Sequence, residues 1–330
     1  MNEQITSFQT VLDSLLAPGR DFPRKYLGHF SDIQPLELQT VLDVWERVNL
    51  DRKLSLLEGL ESLSETDTLV SFDDFASAIL NDPNASVRVL AIRLLDECDD
   101  VNLVPMYLNL LKNDPDVSVR AEAANVLNLF VDLGELEEIS EEVYGEVRLA
   151  LLESASSEKE ARVRRRALES LGWSSHPEVI ALVESSFEGE DVDWKVSALI
   201  AMGRSANDIW EDRVLRSLLD ANNKIRRAAV QSAGMLSLKS ARIPLLRMLQ
   251  EEDAEEVMSA VIWSLSQVGG EDVGTYLETL LDRAEDDDLI GFLEEALDNL
   301  AFTEDLNRFE LLSVDPDELE DLEVLDEDDE

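Results

Sequence analysis

The feature of this 330-residue sequence that most constrains its fold is a short motif that recurs along the chain. The stretch "NDPNASVRVLAIRLL", which begins at Asn81, returns 32 residues later as "NDPDVSVRAEAANVL". The centre of the motif is an apolar anchor, a basic residue, two variable residues, a small residue and another apolar one. The anchors of the seven copies are Val87, Val119, Val163, Trp194, Ile225, Val257 and Leu289. Self-similarity at a fixed period of about 20 to 50 residues is typical of a solenoid of stacked repeats.

Each copy of the motif has the periodicity of a helix. Apolar residues fall at i, i+3, i+4, i+7 and i+8 from the first anchor, which places them on one stripe of an α-helix. Position i+4 is alanine in the first five copies, so a neighbouring helix can approach closely. Other amphipathic segments separate the copies. Each unit is therefore predicted to be a helix A, a turn and a helix B.

Turn residues support this division into helix pairs. Asp82-Pro83 and Asp114-Pro115 mark the turn from helix A to helix B, since Asp caps helices and Pro tolerates a first helical turn. Glycines nine residues after the anchor suit the C-terminal end of helix B. They are Gly172, Gly203 and Gly234.

The motif D-x4-V-R-x2-A-x3-L resembles the HEAT repeat, and the resemblance covers roughly residues 70–302. It implies a polar ladder between repeats, with the acid–base pairs Asp82/Arg88, Asp114/Arg120, Glu158/Arg164 and Asp220/Arg226. Gly189/Lys195 and Glu252/Met258 depart from the motif, so the ladder is expected to be incomplete there. Unit length and the Ala-rich helix B are also similar to bacterial HEAT-like repeats of the bilin-lyase type. The expected fold is all-α, a right-handed HEAT-repeat superhelix, that is, an α–α solenoid of armadillo-like helices.

Three segments complete the predicted organisation. Residues 1–66 form an N-terminal helical cap, residues 67–302 a solenoid of about seven helix pairs, and residues 303–330 an acidic disordered tail. Eleven of the last sixteen residues are Asp or Glu, a composition that disfavours a packed structure. One anchor interval is 44 residues, twelve longer than the first, and the extra residues near 131–144 are expected to form a short helix or a lengthened loop.

Charge limits the partners that this chain can bind. Its 73 acidic and 28 basic residues give a formal net charge of −45. Such a field repels nucleic acid phosphates and anionic membranes, and it favours basic or neutral proteins. Cys98 is the single cysteine, which excludes an internal disulfide and suits the cytoplasm, where we expect the protein to reside. The sequence contains neither a pattern typical of a signal peptide nor a run of eighteen apolar residues.

The sequence shows no constellation typical of catalysis. His29 and His176 each lie beside a turn without a patterned partner, so a capping or solvated role is favoured. HEAT-repeat dimetal hydroxylases use His-Glu dyads, and no His-Glu dipeptide occurs here. No calcium-binding or phosphate-binding loop occurs either. We therefore predict a non-enzymatic protein without catalytic residues, metal or cofactor.

The outward positions of helix B provide the candidate binding site. Positions +2, +6 and +10 from the anchor lie off the buried stripe, and in a HEAT solenoid the B helices line the concave side. In the middle and C-terminal repeats these positions are rich in Arg and Trp, residue types enriched at interface hot spots. Trp194 and Trp210 are instead predicted to be core. The predicted concave strip is Arg165, Glu169, Trp173, Ile200, Arg204, Arg227, Gln231 and Trp263.

These observations predict a protein-binding scaffold or adaptor. Its partner would be an extended or helical peptide segment or a basic protein, with no direct nucleic acid or membrane contact. Two alternatives stay open: a lyase or chaperone-like factor for a bilin-bearing or otherwise modified client, and an acidic decoy for nucleic-acid-binding proteins. The sequence leaves the oligomeric state open.

Overall fold

The computed structural model of the protein describes residues 8–19 and 21–313. No strand occurs in these two ranges, and the regular elements are α-helices and short 3-10 turns. The all-α prediction is therefore confirmed. The chain divides into two compact units, residues 1–174 and 175–330.

The first unit contains nine α-helices within its described residues. They are α1 (Phe8–Leu16), α2 (Pro35–Trp45), α3 (Leu50–Ser64), α4 (Asp73–Ala78), α5 (Ala85–Arg93), α6 (Val104–Asn113), α7 (Val117–Glu135), α8 (Glu141–Ser157) and α9 (Ala161–Ser170). The B helices α5, α7 and α9 stack in sequence, α6 packs on α7, and α8 packs on α9.

The second unit repeats this arrangement with eight α-helices in its described part. They are α10 (Pro177–Glu188), α11 (Val192–Arg204), α12 (Glu211–Ser217), α13 (Asn223–Met235), α14 (Arg242–Glu251), α15 (Glu255–Val268), α16 (Glu271–Leu281) and α17 (Asp287–Ser313). Each even-numbered helix packs on the odd-numbered helix that follows it, and α11, α13, α15 and α17 stack in sequence. The predicted unit of helix A, turn and helix B is confirmed.

The alanine at position i+4 makes this stacking possible. All five of these alanines have no solvent exposure: Ala91, Ala123, Ala167, Ala198 and Ala229. Because an alanine side chain ends at Cβ, the backbone of the next B helix can lie close to it. Trp210 is buried in the core, as predicted. Trp194 is only half-buried, so its assignment to the core was wrong.

The turn before helix B is built differently from the prediction. Asn84 and Asp116 are the N-caps, and their side-chain oxygens accept hydrogen bonds from backbone N–H groups two residues later, at 2.9 and 2.8 Å. Asp82 and Asp114 lie two residues earlier, where one carboxylate oxygen accepts from the N-cap backbone N–H, at 2.8 and 2.9 Å. The prolines fill the turn, outside the first helical turn. The other carboxylate oxygen belongs to the ladder, and at Asp114 both oxygens do.

The acid–base ladder of the first unit joins each repeat to the next. Arg88 donates from Nε and Nη2 to the two carboxylate oxygens of Asp114, both at 2.8 Å, and from Nη1 to the carbonyl oxygen of Asp82 at 2.8 Å. Arg120 repeats the pattern with Glu158 at 3.3 Å and the carbonyl oxygen of Asp114 at 2.8 Å. The basic residue of one repeat thus binds the acid of the following repeat, which fixes their spacing.

The ladder extends into the N-terminal segment through a lysine. Lys53 on α3 donates to Asp82 at 2.7 Å, and the Trp45 indole N–H donates to the same carboxylate oxygen at 2.8 Å. Helix α3 packs on α5 in the way that one B helix packs on the next. Its sequence, "LDRKLSLLEGL", therefore occupies a B-helix position despite lacking the small residue of the motif.

In the second unit the ladder pairs Arg226 with Glu252. Arg226 donates from Nε and Nη2 to both carboxylate oxygens, at 2.9 and 2.8 Å, and from Nη1 to the carbonyl oxygen of Asp220 at 3.0 Å. Glu252 thus serves as the ladder acid although Met258 takes the place of the next arginine. The hydrogen bond and charge of Arg226 lower the pKa of Glu252 below its ordinary value of 4.5.

Replacing Glu252 with glutamine is expected to reduce the loss of stability at acid pH. Because the pKa is lowered in the folded state, the stabilisation is fully present above the ordinary value of 4.5 and is lost as the pH falls through the lowered value. Urea unfolding at a series of pH values, followed by circular dichroism, checks this. Wild type should lose more stability below about pH 5 than Glu252→Gln. Glu251→Gln, at the exposed end of α14, is the control, and equal pH dependence of wild type and Glu252→Gln would contradict the prediction.

The twelve extra residues lengthen two helices. Helix α7 has 19 residues and α8 has 17, so the insertion adds neither the separate short helix nor the long loop that was predicted. Tyr144 of α8 packs directly against Gly134 of α7, and its hydroxyl hydrogen-bonds with Glu135 and, at 2.8 Å, with Ser174. Burial, followed by the hydrogen bond to Glu135, raises the pKa of Tyr144 to about 12. The insertion is thus an integral part of the first unit.

The last helix extends beyond the predicted end of the solenoid. Helix α17 runs to Ser313, past residue 302. Residues 303–313 are therefore helical, and this part of the predicted tail was wrong. The remainder, residues 314–330, lies outside the described residues.

Candidate functional site

Five of the eight predicted strip residues line one groove on the second unit. The groove has a volume of about 490 Å³ and lies on the exposed face of the B helices α11, α13, α15 and α17. We call it the aromatic groove. Its lining side chains are Ile200, Arg204, Arg227, Gln231, Met235, Glu256, Ser259, Trp263, Gln267 and Phe292, with the small residues Ser232, Ala260 and Ser264 at its base.

Small residues hold the helices that form this groove close together. A Cβ atom on Gly203 would lie 2.9 Å from the Cα of Ser232, too close for any side chain. The Ser232 hydroxyl donates to the carbonyl oxygen of Leu199 at 2.7 Å, and the Ser264 hydroxyl donates to that of Val230 at 2.9 Å. Since adjacent B helices are this close, their outward side chains form one continuous surface.

This packing also corrects the role assigned to the glycines. Gly203 and Gly234 lie inside the last turns of α11 and α13, and neither has a positive φ. A Cβ atom on Gly234 would lie 2.8 Å from the Ser264 hydroxyl. Gly172 belongs to a 3-10 turn, Leu171–Trp173, and is buried. Close approach of the next B helix, rather than helix capping, is therefore what requires glycine at 203 and 234.

The apolar part of the groove centres on Trp263. Its side chain is 38% exposed and stacks on Phe292, with ring centroids 6.3 Å apart and planes inclined by 28°. Met235 is 42% exposed, and Ile200 is half-buried. Exposed apolar surface of this kind, flanked by polar side chains, is typical of a protein interaction site.

The polar part of the groove contains two arginines. Arg227 faces Glu256 across 4.0 Å, and both side chains are about half exposed. An exposed pair at this distance stabilises a protein by about 0 to 1 kcal/mol, so Arg227 can exchange Glu256 for another carboxylate at little cost. Arg204 lies at the end of α11 and is half-buried. The groove therefore offers guanidinium groups beside aromatic surface.

The three strip residues of the first unit do not form such a surface. Glu169, predicted to face outward, is buried and accepts a hydrogen bond from Arg166 at 2.7 Å, so that prediction was wrong. Arg165 is half-buried. Trp173 is half-buried in its 3-10 turn, with an enclosed indole N–H that has no hydrogen-bond partner among the residues that the structure describes. Because α9 stops at Ser170 and tightens into this 3-10 turn, Trp173 departs from the outward phase that the regular motif predicts.

Phe292 is an aromatic groove residue that the motif missed. It stands three residues after the anchor Leu289, at a position that is buried in four of the six earlier copies. In α17 the buried stripe consists of Leu293, Ala296 and Leu300, while Leu289 itself is 41% exposed. The motif is weaker in this copy, and it predicted that the start of α17 is more buried than it is. The sequence signal that could have indicated this groove residue is the single aromatic side chain in "LIGFLEEAL".

The described residues contain no cluster of three His, Cys, Asp or Glu side chains arranged to hold a metal ion. Among the helices of the same part of the chain, none has the length and apolar character needed to cross a membrane. His176 caps α10, and its Nδ1 accepts a hydrogen bond from the backbone N–H of Glu178 at 3.4 Å. The predicted capping role of this histidine is confirmed.

Comparison with known proteins gives the repeat its name. A family model described as HEAT repeats matches residues 73–142 and 212–298. No curated protein sequence matches the chain significantly. Because the two matched segments lie one in each compact unit, both units contain the repeat.

Solved structures with a similar helical arrangement include three of different kinds. The Escherichia coli protein YibA is 18% identical, with a TM-score of 0.42 over 86% of this chain and 99% of that one. The CpcE–CpcF complex of phycocyanin lyase from Nostoc sp. is 16% identical, with a TM-score of 0.48 over 80% and 94%. Importin beta is 14% identical, with a TM-score of 0.41 over 84% of this chain and 42% of that one. These values are too low for a function to be transferred.

The family match agrees with the arrangement of the helices. Paired helices, buried alanines at i+4 and a ladder of acids and bases between repeats occur in the structure as the resemblance implied. The chain therefore contains HEAT repeats, matched at residues 73–142 and 212–298, and has the fold of a HEAT-repeat helical solenoid.

Proposed function

We propose that this protein is a non-enzymatic scaffold or adaptor of the cytoplasm that binds a protein partner in the aromatic groove. The observation that carries the proposal is the groove itself. Trp263, Met235 and Phe292 present apolar surface beside Arg204 and Arg227. In a chain of net charge −45, such a combination is unusual on an exposed face.

The groove suits an extended or helical peptide segment. Its apolar side chains would hold a hydrophobic anchor, and the arginines would meet carboxylates on the same segment through paired N–H···O bonds. The negative charge elsewhere on the chain would discourage non-specific contacts with acidic proteins and would attract partners of mixed or basic charge. The groove contacts and the negative charge of the chain therefore favour the same kind of partner, a protein of mixed or basic charge that carries an apolar anchor beside carboxylates.

Replacing Trp263 with alanine is expected to weaken partner binding by about 2 kcal/mol or more, as for an interface hot spot. Arg204→Ala should have a similar effect. Calorimetric titration of the captured partner measures the affinity, and denaturant unfolding of the same variants measures stability. Tyr276→Ala is the matched control, because Tyr276 is a similarly exposed aromatic residue, 40%, on helix α16 and outside the groove. If Trp263→Ala leaves affinity intact and destabilises the fold by several kcal/mol, the groove is not the binding site.

A pull-down from the native host identifies the partner and separates the two alternatives. Co-purification of a bilin-bearing client would favour a lyase or chaperone-like role. Capture of nucleic-acid-binding proteins through their basic surfaces would favour an acidic decoy. If either kind of protein is captured, and Trp263→Ala captures it equally well, the scaffold proposal is wrong and the corresponding alternative takes its place.

A further inference from the structure

We infer that the chain's own C-terminal segment, residues 314–330, occupies the aromatic groove and competes there with the partner. The inference rests on the proposed function, since it concerns the same groove and adds its regulation. Leu319, Leu322 and Leu325 would contact Trp263 and Met235. Carboxylates between these leucines would meet the two arginines of the groove.

The groove has both properties that such an occupant needs. Trp263 and Met235 leave about two fifths of their side chains exposed, and Phe292 extends this surface. Within the described part of the chain, the ion pair of Arg227 is the 4.0 Å contact with Glu256, on a face where both side chains are about half exposed. An acidic segment with regularly spaced leucines would cover the apolar surface and replace this long ion pair with closer ones.

The sequence of the segment is complementary to these features. "VDPDELEDLEVLDEDDE" has eleven acidic residues and no basic one. Its three leucines recur every third residue, which would place them on one face of a short helix. From Leu319 to Leu325 such a helix would rise about 9 Å. This is about the distance between neighbouring packed helices, so the leucines could span two B helices of the groove.

The connection to α17 brings the segment within reach. Trp263 stacks on Phe292, and the Asn299 amide donates to the Ser266 hydroxyl at 2.8 Å, so α17 runs parallel to α15. Ser313 lies about 20 Å further along α17 than Asn299, at 1.5 Å per residue. Six extended residues also cover about 20 Å, so Leu319 is the first of the leucines that can return to the level of Gln267 at the groove end.

A spin label on the C-terminal segment of the full chain tests the inference without any partner. The label is attached at Asp326→Cys in a Cys98→Ser background, and ¹H–¹⁵N spectra record the indole N–H signals, assigned with Trp263→Phe. Paramagnetic broadening is expected to reduce the Trp263 signal to less than half of its intensity with the reduced label. The Trp210 signal should lose much less, because the broadening falls steeply with distance from the label and this side chain does not line the groove.

The matched variant carries Leu319→Ser, Leu322→Ser and Leu325→Ser, which keep every charge of the segment. Loss of the Trp263 broadening in this variant supports docking through the leucines. Three results overturn the inference: equal intensities for Trp263 and Trp210, broadening that survives the triple substitution, and broadening that appears only between mixed labelled and unlabelled copies. The last result would mean that the C-terminal segment of a second copy of the protein occupies the groove.

The two proposals fail separately. If the segment does not broaden Trp263 but Trp263→Ala still weakens the partner, only the competition by the segment is wrong. If the segment docks but partner affinity is the same in Trp263→Ala, the proposed partner site is wrong. Should both hold, the triple leucine variant is expected to bind the partner several-fold more tightly than wild type.

Discussion

Replacing Arg88 with alanine is expected to lower the free energy of unfolding by about 3 to 5 kcal/mol, the usual effect of removing one partner of a buried ion pair. Arg88 and Asp114 are both buried, and they share two hydrogen bonds of 2.8 Å. Without the guanidinium, the Asp114 carboxylate would stay buried with its charge uncompensated. Urea unfolding followed by circular dichroism measures this loss of stability.

Two further variants separate the causes of that loss. Arg93→Ala, on the same helix, removes an exposed arginine that bridges Glu61 and Glu122 at 3.7 and 3.1 Å, and should cost about 0 to 1 kcal/mol. The double variant Arg88→Met/Asp114→Leu should recover most of the lost stability, because no buried charge is left unpaired. If Arg88→Ala is no worse than Arg93→Ala, the ladder does not stabilise the repeats.

Replacing Gly134 with alanine is expected to destabilise the first unit by about 3 kcal/mol. The new Cβ atom would lie 2.2 Å from Cδ2 and 2.8 Å from Cβ of Tyr144, so the tyrosine would have to move. Overpacking costs about 1 to 3 kcal/mol, and loss of the hydroxyl's hydrogen bonds to Glu135 and Ser174 adds about 1 to 3 kcal/mol. The higher helix propensity of alanine offsets about 1 kcal/mol of this loss. Thermal and urea unfolding measure the sum.

Gly145→Ala is the matched control, on the helix that carries Tyr144. Nothing lies within 4 Å of a Cβ atom there, so only helix propensity changes. This variant should gain about 0.5 to 1 kcal/mol. A gain of similar size for Gly134→Ala would mean that Tyr144 can move aside without cost, and that α7 and α8 are not locked together at this point.

The sequence predicted the groove better in the second unit than the strip in the first. Ile200, Arg204, Arg227, Gln231 and Trp263 were placed on one face by counting from the anchor, and they line one groove. The count holds there because α11, α13 and α15 continue as regular α-helices through the +10 position. Helix α9 ends before that position, at Ser170, and Glu169 was misplaced because Arg166 holds its carboxylate against the protein.

Other misassignments share a single cause, which is that burial depends on what a neighbouring element covers. Trp194 occupies an anchor position yet is half-buried. The glycines at 203 and 234 lie at the predicted C-terminal ends of α11 and α13, but contacts with Ser232 and Ser264 of the next helix, rather than capping, explain them. A local pattern describes one helix and its own stripe. It carries no information on the identity of the residue that the next helix places opposite.

By itself, the sequence determined the repeat, the helix pairs, the stripe of buried alanines and most of the acids and bases that form the ladder. These follow from short-range periodicity and from the requirement that a buried charge be paired. The structure decided the pairing of these acids and bases, in which an arginine binds the acid of the following repeat, as Arg88 binds Asp114. Only the tertiary structure decided that the twelve extra residues lengthen α7 and α8, that Lys53 extends the ladder to α3, and that Phe292 joins Trp263 in the groove. The reason is physical: these features depend on contacts between residues about 30 positions apart, and the free energy of such contacts is fixed by packing geometry rather than by the local pattern.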